Sequence, residues 1–77
     1  MQFDQNKVDE ATLALLWLVM EKEKYGTRAW KGFDWETMNR LHEKGYIADP
    51  KSKAKSVVVT EEGANLAKEL FEKLFSK

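Results

Sequence analysis

The sequence predicts a single α+β domain over residues 1–77, with three main helices, one further helical turn and a two-stranded β-hairpin. Three observations lead there. Apolar residues recur at helical spacing in three separate stretches, and the β-branched run Ser56-Val-Val-Val-Thr60 stands apart from them. The chain of 77 residues is long enough for one hydrophobic core and too short for two. Its 43% hydrophobic content and single proline exclude a disordered or proline-rich chain.

The first helix is predicted from Asn6 to Lys24, with Asn6 as N-cap and Asp9 three residues on, a variant of the capping box. Val8, Ala11, Leu15, Leu18 and Val19 form its apolar stripe. Leu13, Leu16, Trp17 and Met20 cover much of the remaining circumference. In so small a chain the other elements cannot enclose a helix that is apolar nearly all round, which points to a second copy against that surface. Gly26 should end the helix in a left-handed position.

Thr27 to Phe33 leaves room for one helical turn, capped by Thr27 and ended by Gly32. Asp34 then caps a cleaner helix, Trp35 to Lys44, with Trp35, Met38, Leu41 and His42 on its inner face. Glu36, Thr37, Asn39, Arg40 and Glu43 are expected to look outward. Gly45 stops this helix in a Schellman turn that lays Tyr46 over Leu41. Ile47-Ala48 and Ser56 to Thr60 read as the two strands of a hairpin around the polar turn Asp49 to Lys55. Thr60 caps the last helix, Glu61 and Glu62 suit its first turn, and Ala67, Leu70, Phe71, Leu74 and Phe75 make its buried stripe.

The string Leu41-His-Glu-Lys-Gly-Tyr-Ile47 resembles the end of the recognition helix in bacterial winged-helix regulators, and Val57 to Gly63 resembles their second wing strand entering the next helix. The resemblance implies a winged-helix-like fold with a shortened helix-turn-helix and a two-stranded β-hairpin wing. Across Arg28-Ala-Trp-Lys-Gly-Phe-Asp-Trp35, Arg40 to Ile47 and Lys53 to Gly63, the chain is similar to a small bacterial domain family of unknown function. That likeness implies a fold and no activity.

Charge decides between the function classes. Thirteen basic and thirteen acidic residues balance, so no bulk charge draws a polyanion. Locally, Arg28 and Lys31 stand without an acid, and Lys51, Lys53 and Lys55 face only Asp49. In a winged helix these segments contact phosphates while the exposed Thr37, Asn39 and Arg40 would read bases. Asp34, Glu36 and Glu43 outnumber Arg40 and Lys44 on that helix and oppose the backbone, so nucleic acid binding is expected to be weak. Tyr25, Trp30, Phe33 and Trp35 crowd one stretch, and the simpler reading is that their rings plug into the core.

With no cysteine and one histidine, the chain offers no metal set. Ser52, Ser56 and Ser76 lie outside any nucleophile motif, and Gly26, Gly32, Gly45 and Gly63 do not form a phosphate loop. No catalytic residue, metal or cofactor is therefore expected, and the chain is not read as an enzyme. The apolar run Ala11 to Met20 is shorter than the ~20 residues of a membrane helix, so a cytoplasmic protein is expected. The function read from the sequence is interaction with a second copy or another protein, as a homodimer built on Leu13, Leu16, Trp17, Met20, Phe71 and Phe75. The alternative is DNA binding through Arg28, Lys31, Thr37, Asn39, Arg40 and the three wing lysines.

Overall fold

A computed structural model describes residues 1–77. Three helices, α1 (Gln5–Leu16), α2 (Trp35–Glu43) and α3 (Glu61–Phe75), pack with a three-stranded antiparallel sheet of order β1-β2-β3. The strands are β1 (Met20–Glu23), β2 (Gly26–Trp30) and β3 (Ser56–Val59). The α+β class and the three main helices agree with the sequence reading. The β part is larger than the two-stranded wing expected.

The first helix is shorter than predicted. It ends at Leu16, a tight turn covers Trp17–Val19, and Met20 turns the chain into an extended conformation. Asp4 rather than Asn6 is its N-cap, accepting from the Lys7 N–H. Met20 to Glu23 forms a strand because it pairs with β2, register Met20↔Ala29 to Glu23↔Gly26, around the two-residue turn Lys24-Tyr25. Gly26 has φ +144°, a conformation that favours glycine, and so it serves a hairpin rather than a helix end. Cross-strand pairing outweighs the helical propensity of Glu-Lys-Glu-Lys, and Glu21 stands opposite Arg28.

The expected stub of helix from Thr27 to Phe33 is largely strand β2. Thr27 and Ala29 alternate inward while Arg28 and Trp30 point to the outer face, the period of two that a half-buried strand requires. β3 pairs along its whole length with β2, from Thr27↔Val59 to Trp30↔Ser56. The predicted partner Ile47 contributes a bridge to Val59, and the Ala48 N–H donates to Val58 O at 2.9 Å. The predicted pairing of Ile47-Ala48 with the Ser56–Val59 strand is thus a short ladder on the edge of the sheet opposite β1.

α2 and α3 form where the caps place them. The Asp34 carboxylate accepts from the Thr37 N–H, and Thr60 Oγ1 accepts from the Gly63 N–H. After α2 the Tyr46 N–H donates to Leu41 O and the Gly45 N–H to His42 O, the Schellman geometry expected, with Gly45 at φ +84°. Leu13, Leu16, Met38, Leu41, Val57 and Ala67 meet in one core between the helices and the inner face of the sheet. No helix is long and apolar enough to cross a membrane.

Candidate functional site

The most constrained polar feature joins α1 to α2. Asp9, on the second turn of α1, is 2% exposed and is held by Arg40 and Lys44. Arg40 Nε donates to Asp9 Oδ1 at 2.8 Å and Arg40 Nη2 lies 2.8 Å from the same oxygen, while Lys44 Nζ donates to Oδ2 at 2.8 Å. Arg40 Nη2 also donates to the buried Thr37 hydroxyl, which itself donates to Asp34 Oδ2 at 2.8 Å. The Thr37 hydroxyl, then the Thr37 N–H, hold the Asp34 carboxyl below the usual carboxylate range, assisted by the Arg40 charge and opposed by desolvation. One chain of bonds therefore runs from the cap of α2 to the middle of α1.

This arrangement overturns two readings of the sequence. Asp9 is a buried ion-pair partner rather than the capping-box partner of Asn6. Thr37 and Arg40 do not face outward on α2; they turn toward Asp9, and Trp35 and His42 take the exposed side in their place. The binary pattern put charged residues in water, whereas a guanidinium held by a carboxylate can sit inside.

Beside the clamp lies an open cleft of about 450 Å³ between α1, the end of α2 and α3. Leu13, Leu41, Leu66, Leu70 and Tyr46 form its apolar wall, and Asn6, Asp9, Glu10 and Lys44 its polar side. No motif in the sequence marked it, because its walls come from three separate elements. The one available signal was Asp9 and Lys44 each interrupting the edge of an apolar stripe.

The residues expected to bind nucleic acid do not form one surface of free cations. Arg28 donates through Nε to Ser56 Oγ at 2.8 Å and through Nη2 to Ser56 O at 2.9 Å. Lys31 Nζ is tied to the loop after α2, donating to Pro50 O at 2.7 Å and Ser52 O at 2.6 Å. Asn39 is half-buried. Lys51, Lys53 and Lys55 remain as exposed side chains of the 49–55 loop.

Of the residues expected to self-associate, Leu13 and Leu16 are core, buried to 1% and 0%. They cannot line an interface, because α2 and α3 pack along α1 and both leucines lie in the core cluster. Met20 and Phe71 are half-buried against the core. Trp17 is exposed at 37% and its neighbour Leu18 at 65%, and at the end of α3 Leu74 and Phe75 are also exposed. Leu74 and Phe75 therefore leave the buried stripe predicted for α3. The ring-plugging expected of the aromatic stretch holds for Phe33 alone. Tyr25, Trp30 and Trp35 are exposed, and Trp30 lies over Gly32 with its edge toward Phe33, the centroids 6.0 Å apart.

His42 Nδ1 lies 3.0 Å from Ile47 O, a contact that ties α2 to the ladder after it. No three His, Asp or Glu side chains converge in a metal-binding arrangement.

Comparison with known proteins adds to this geometry. A family described as "Domain of unknown function (DUF6429)" matches residues 4–77. The chain belongs to this family. It is also 52% identical to "Uncharacterized protein y4hR" of Sinorhizobium fredii (strain NBRC 101917 / NGR234) over 77 residues, the full length of both chains. Both findings agree with the small bacterial domain family that the sequence resembles. No solved structure matches the chain.

Proposed function

We propose that this protein is a non-catalytic, cytoplasmic interaction module that associates with a second copy of itself through exposed apolar and aromatic side chains. The observation that carries this reading is the turn Trp17–Val19, where Trp17 and Leu18 sit side by side in solvent beside the exposed Leu15. Single exposed apolar residues are ordinary; a cluster in one turn, with α3 against it and Leu74 and Phe75 also exposed, is the composition of an interface core. Sedimentation equilibrium is expected to give a dimer at high micromolar concentration, and Leu18→Glu is expected to give a monomer with an unchanged circular dichroism spectrum. A wild-type chain that stays monomeric at that concentration rejects the proposal.

The same reading expects no sequence-specific duplex binding. Support comes from the inward turn of Thr37 and Arg40, which leaves α2 without two of its three expected base-reading side chains. Only Lys51, Lys53 and Lys55 remain unengaged among the expected phosphate contacts, and three contacts give a salt slope of about −2.7. Fluorescence anisotropy with random duplexes across a salt series is expected to find affinity weaker than about micromolar at physiological salt. Tight binding that a Lys51, Lys53, Lys55→Ala triple variant abolishes would replace the interaction module with a regulator.

A further inference from the structure

We propose that the second copy in the self-association proposed above seats on the outer face of the sheet, with Glu21 and Glu23 of each copy against Lys53 and Lys55 of the other. The register defines that face. Glu21, Arg28 and Val58 lie in one row across the three strands, Trp30 and Ser56 lie in the next, and Glu23 follows Glu21 along β1. Ala29, Val57 and Val59 alternate to the other side and belong to the core, and the outer face is left to solvent, with Trp30 52% and Val58 40% exposed. Trp30 is held in place there. Its ring covers Gly32, where a Cβ would overlap it, and it meets the Phe33 ring edge-on, so burying it against a partner costs little side-chain freedom. Val19 lines an open cleft of this face together with Glu21, Glu23, Trp30 and Lys55, which makes the face continuous with the Trp17–Val19 turn.

The charges orient the second copy. Both ion pairs of the chain are at Asp9. Glu21 stands opposite Arg28, yet that guanidinium turns the other way, to Ser56, and Glu23 stands opposite Gly26, so the β1 margin presents two acids without an ion-pair partner. At the other margin the loop before β3 carries Lys53 and Lys55, exposed and likewise outside any ion pair. A two-fold axis lying in the interface lays the acidic margin of each copy on the basic margin of the other, so the same contact forms twice. The competing arrangement extends the sheet from one β1 to another, and charge opposes it. Antiparallel strands related by a two-fold place residues of like parity opposite one another, so Glu21 would meet Glu21 or Glu23 of the second copy.

The test is complementation between two charge-swapped chains, read by sedimentation equilibrium. Glu21→Lys with Glu23→Lys, and separately Lys53→Glu with Lys55→Glu, are each expected to weaken the dimer about tenfold or more, because like charges then meet at both margins. An equimolar mixture of the two variants is expected to recover the wild-type dissociation constant, since acid meets lysine again at both contacts of the mixed dimer. A chain carrying both pairs of changes is expected to recover it alone. Circular dichroism checks each fold; if the Glu21 change disturbs the sheet beside Arg28, Glu23→Lys against Lys55→Glu carries the same comparison. Variants that dimerise as tightly as the wild type overturn this face and leave association through Trp17 and Leu18 standing. Variants that weaken the dimer and stay weak on mixing overturn it as well, and a monomeric wild type overturns both.

Discussion

Gly63→Ala is expected to lower stability by about 3 kcal/mol or more, at the upper end of what overpacking costs, because neither neighbour of the new methyl can yield. A Cβ at this position would overlap the carbonyl oxygen of Tyr46 and lie 2.8 Å from its carbonyl carbon. That carbonyl is not free to move. It accepts from the Thr60 N–H at 3.0 Å and faces the Thr60 hydroxyl at 3.1 Å, and the same hydroxyl caps α3 through the Gly63 N–H. Tyr46 is also held from the other side, by its own N–H to Leu41 O. A methyl at residue 63 must therefore push α3 off the Schellman turn or break the cap. A domain of this size holds roughly 4–12 kcal/mol in total, so the variant is expected to be largely unfolded in mild urea where the wild type is folded. Gly45→Ala is the control. Nothing lies within 4 Å of a Cβ there, so its cost comes from φ +84° alone, about 1 kcal/mol. Urea unfolding that ranks Gly45→Ala as the costlier of the two would contradict this account.

The same junction was legible in the sequence, because it is built from local chemistry. Asp34, Gly45, Thr60 and the acids Glu61 and Glu62 act within four residues of the backbone they serve, and α2 and α3 begin and end where those residues put them. What was not legible is governed by distant partners. Met20 to Glu23 carries helix formers, and its strand exists because β2 pairs with it; the sequence signal was the alternation from Thr27 to Trp30 after a glycine that a hairpin turn can use. Leu13 and Leu16 looked surplus on a helix apolar all round. α1 ends at Leu16, the following residues add a strand, and α3 and α2 pack along α1 so that both leucines join the core cluster. Trp30 was assigned to the core by size and hydrophobicity and Trp35 by its place on the inner face of α2, yet Trp30 follows the outward parity of β2 and Trp35, at the first position of α2, is 52% exposed. The cleft has the least local signature of all, since Asn6, Lys44 and Leu66 are brought together by the packing of three helices.

Asp9→Ala is expected to destabilise the domain by about 2–3 kcal/mol, somewhat below the cost of breaking a fully buried ion pair. The reduction follows from exposure. Arg40 and Lys44 retain 20% and 38% of their side-chain accessibility, so water reaches both cations once the carboxylate is gone. The loss remains large because Asp9 is the hub: without it, Arg40 keeps only the Thr37 hydroxyl, and the long Lys44–Asn6 contact at 3.4 Å is the one side-chain hydrogen bond left between α1 and the end of α2. Arg40→Ala makes the reciprocal fault, leaving a carboxylate that is 2% exposed with Lys44 as its one cation, and it is expected to cost at least as much. The paired change Asp9→Leu with Arg40→Met removes both charges and replaces them with apolar volume. It is expected to be more stable than either single truncation, with a coupling of about 1–3 kcal/mol in a double-mutant cycle closed by the single changes Asp9→Leu and Arg40→Met and read by urea denaturation. This ordering separates a clamp from a pair of surface charges, for which single and double changes would all lie within about 0.5 kcal/mol of the wild type. If the Asp9→Ala midpoint moves by no more than a surface substitution does, Asp9 does not set the angle between α1 and α2.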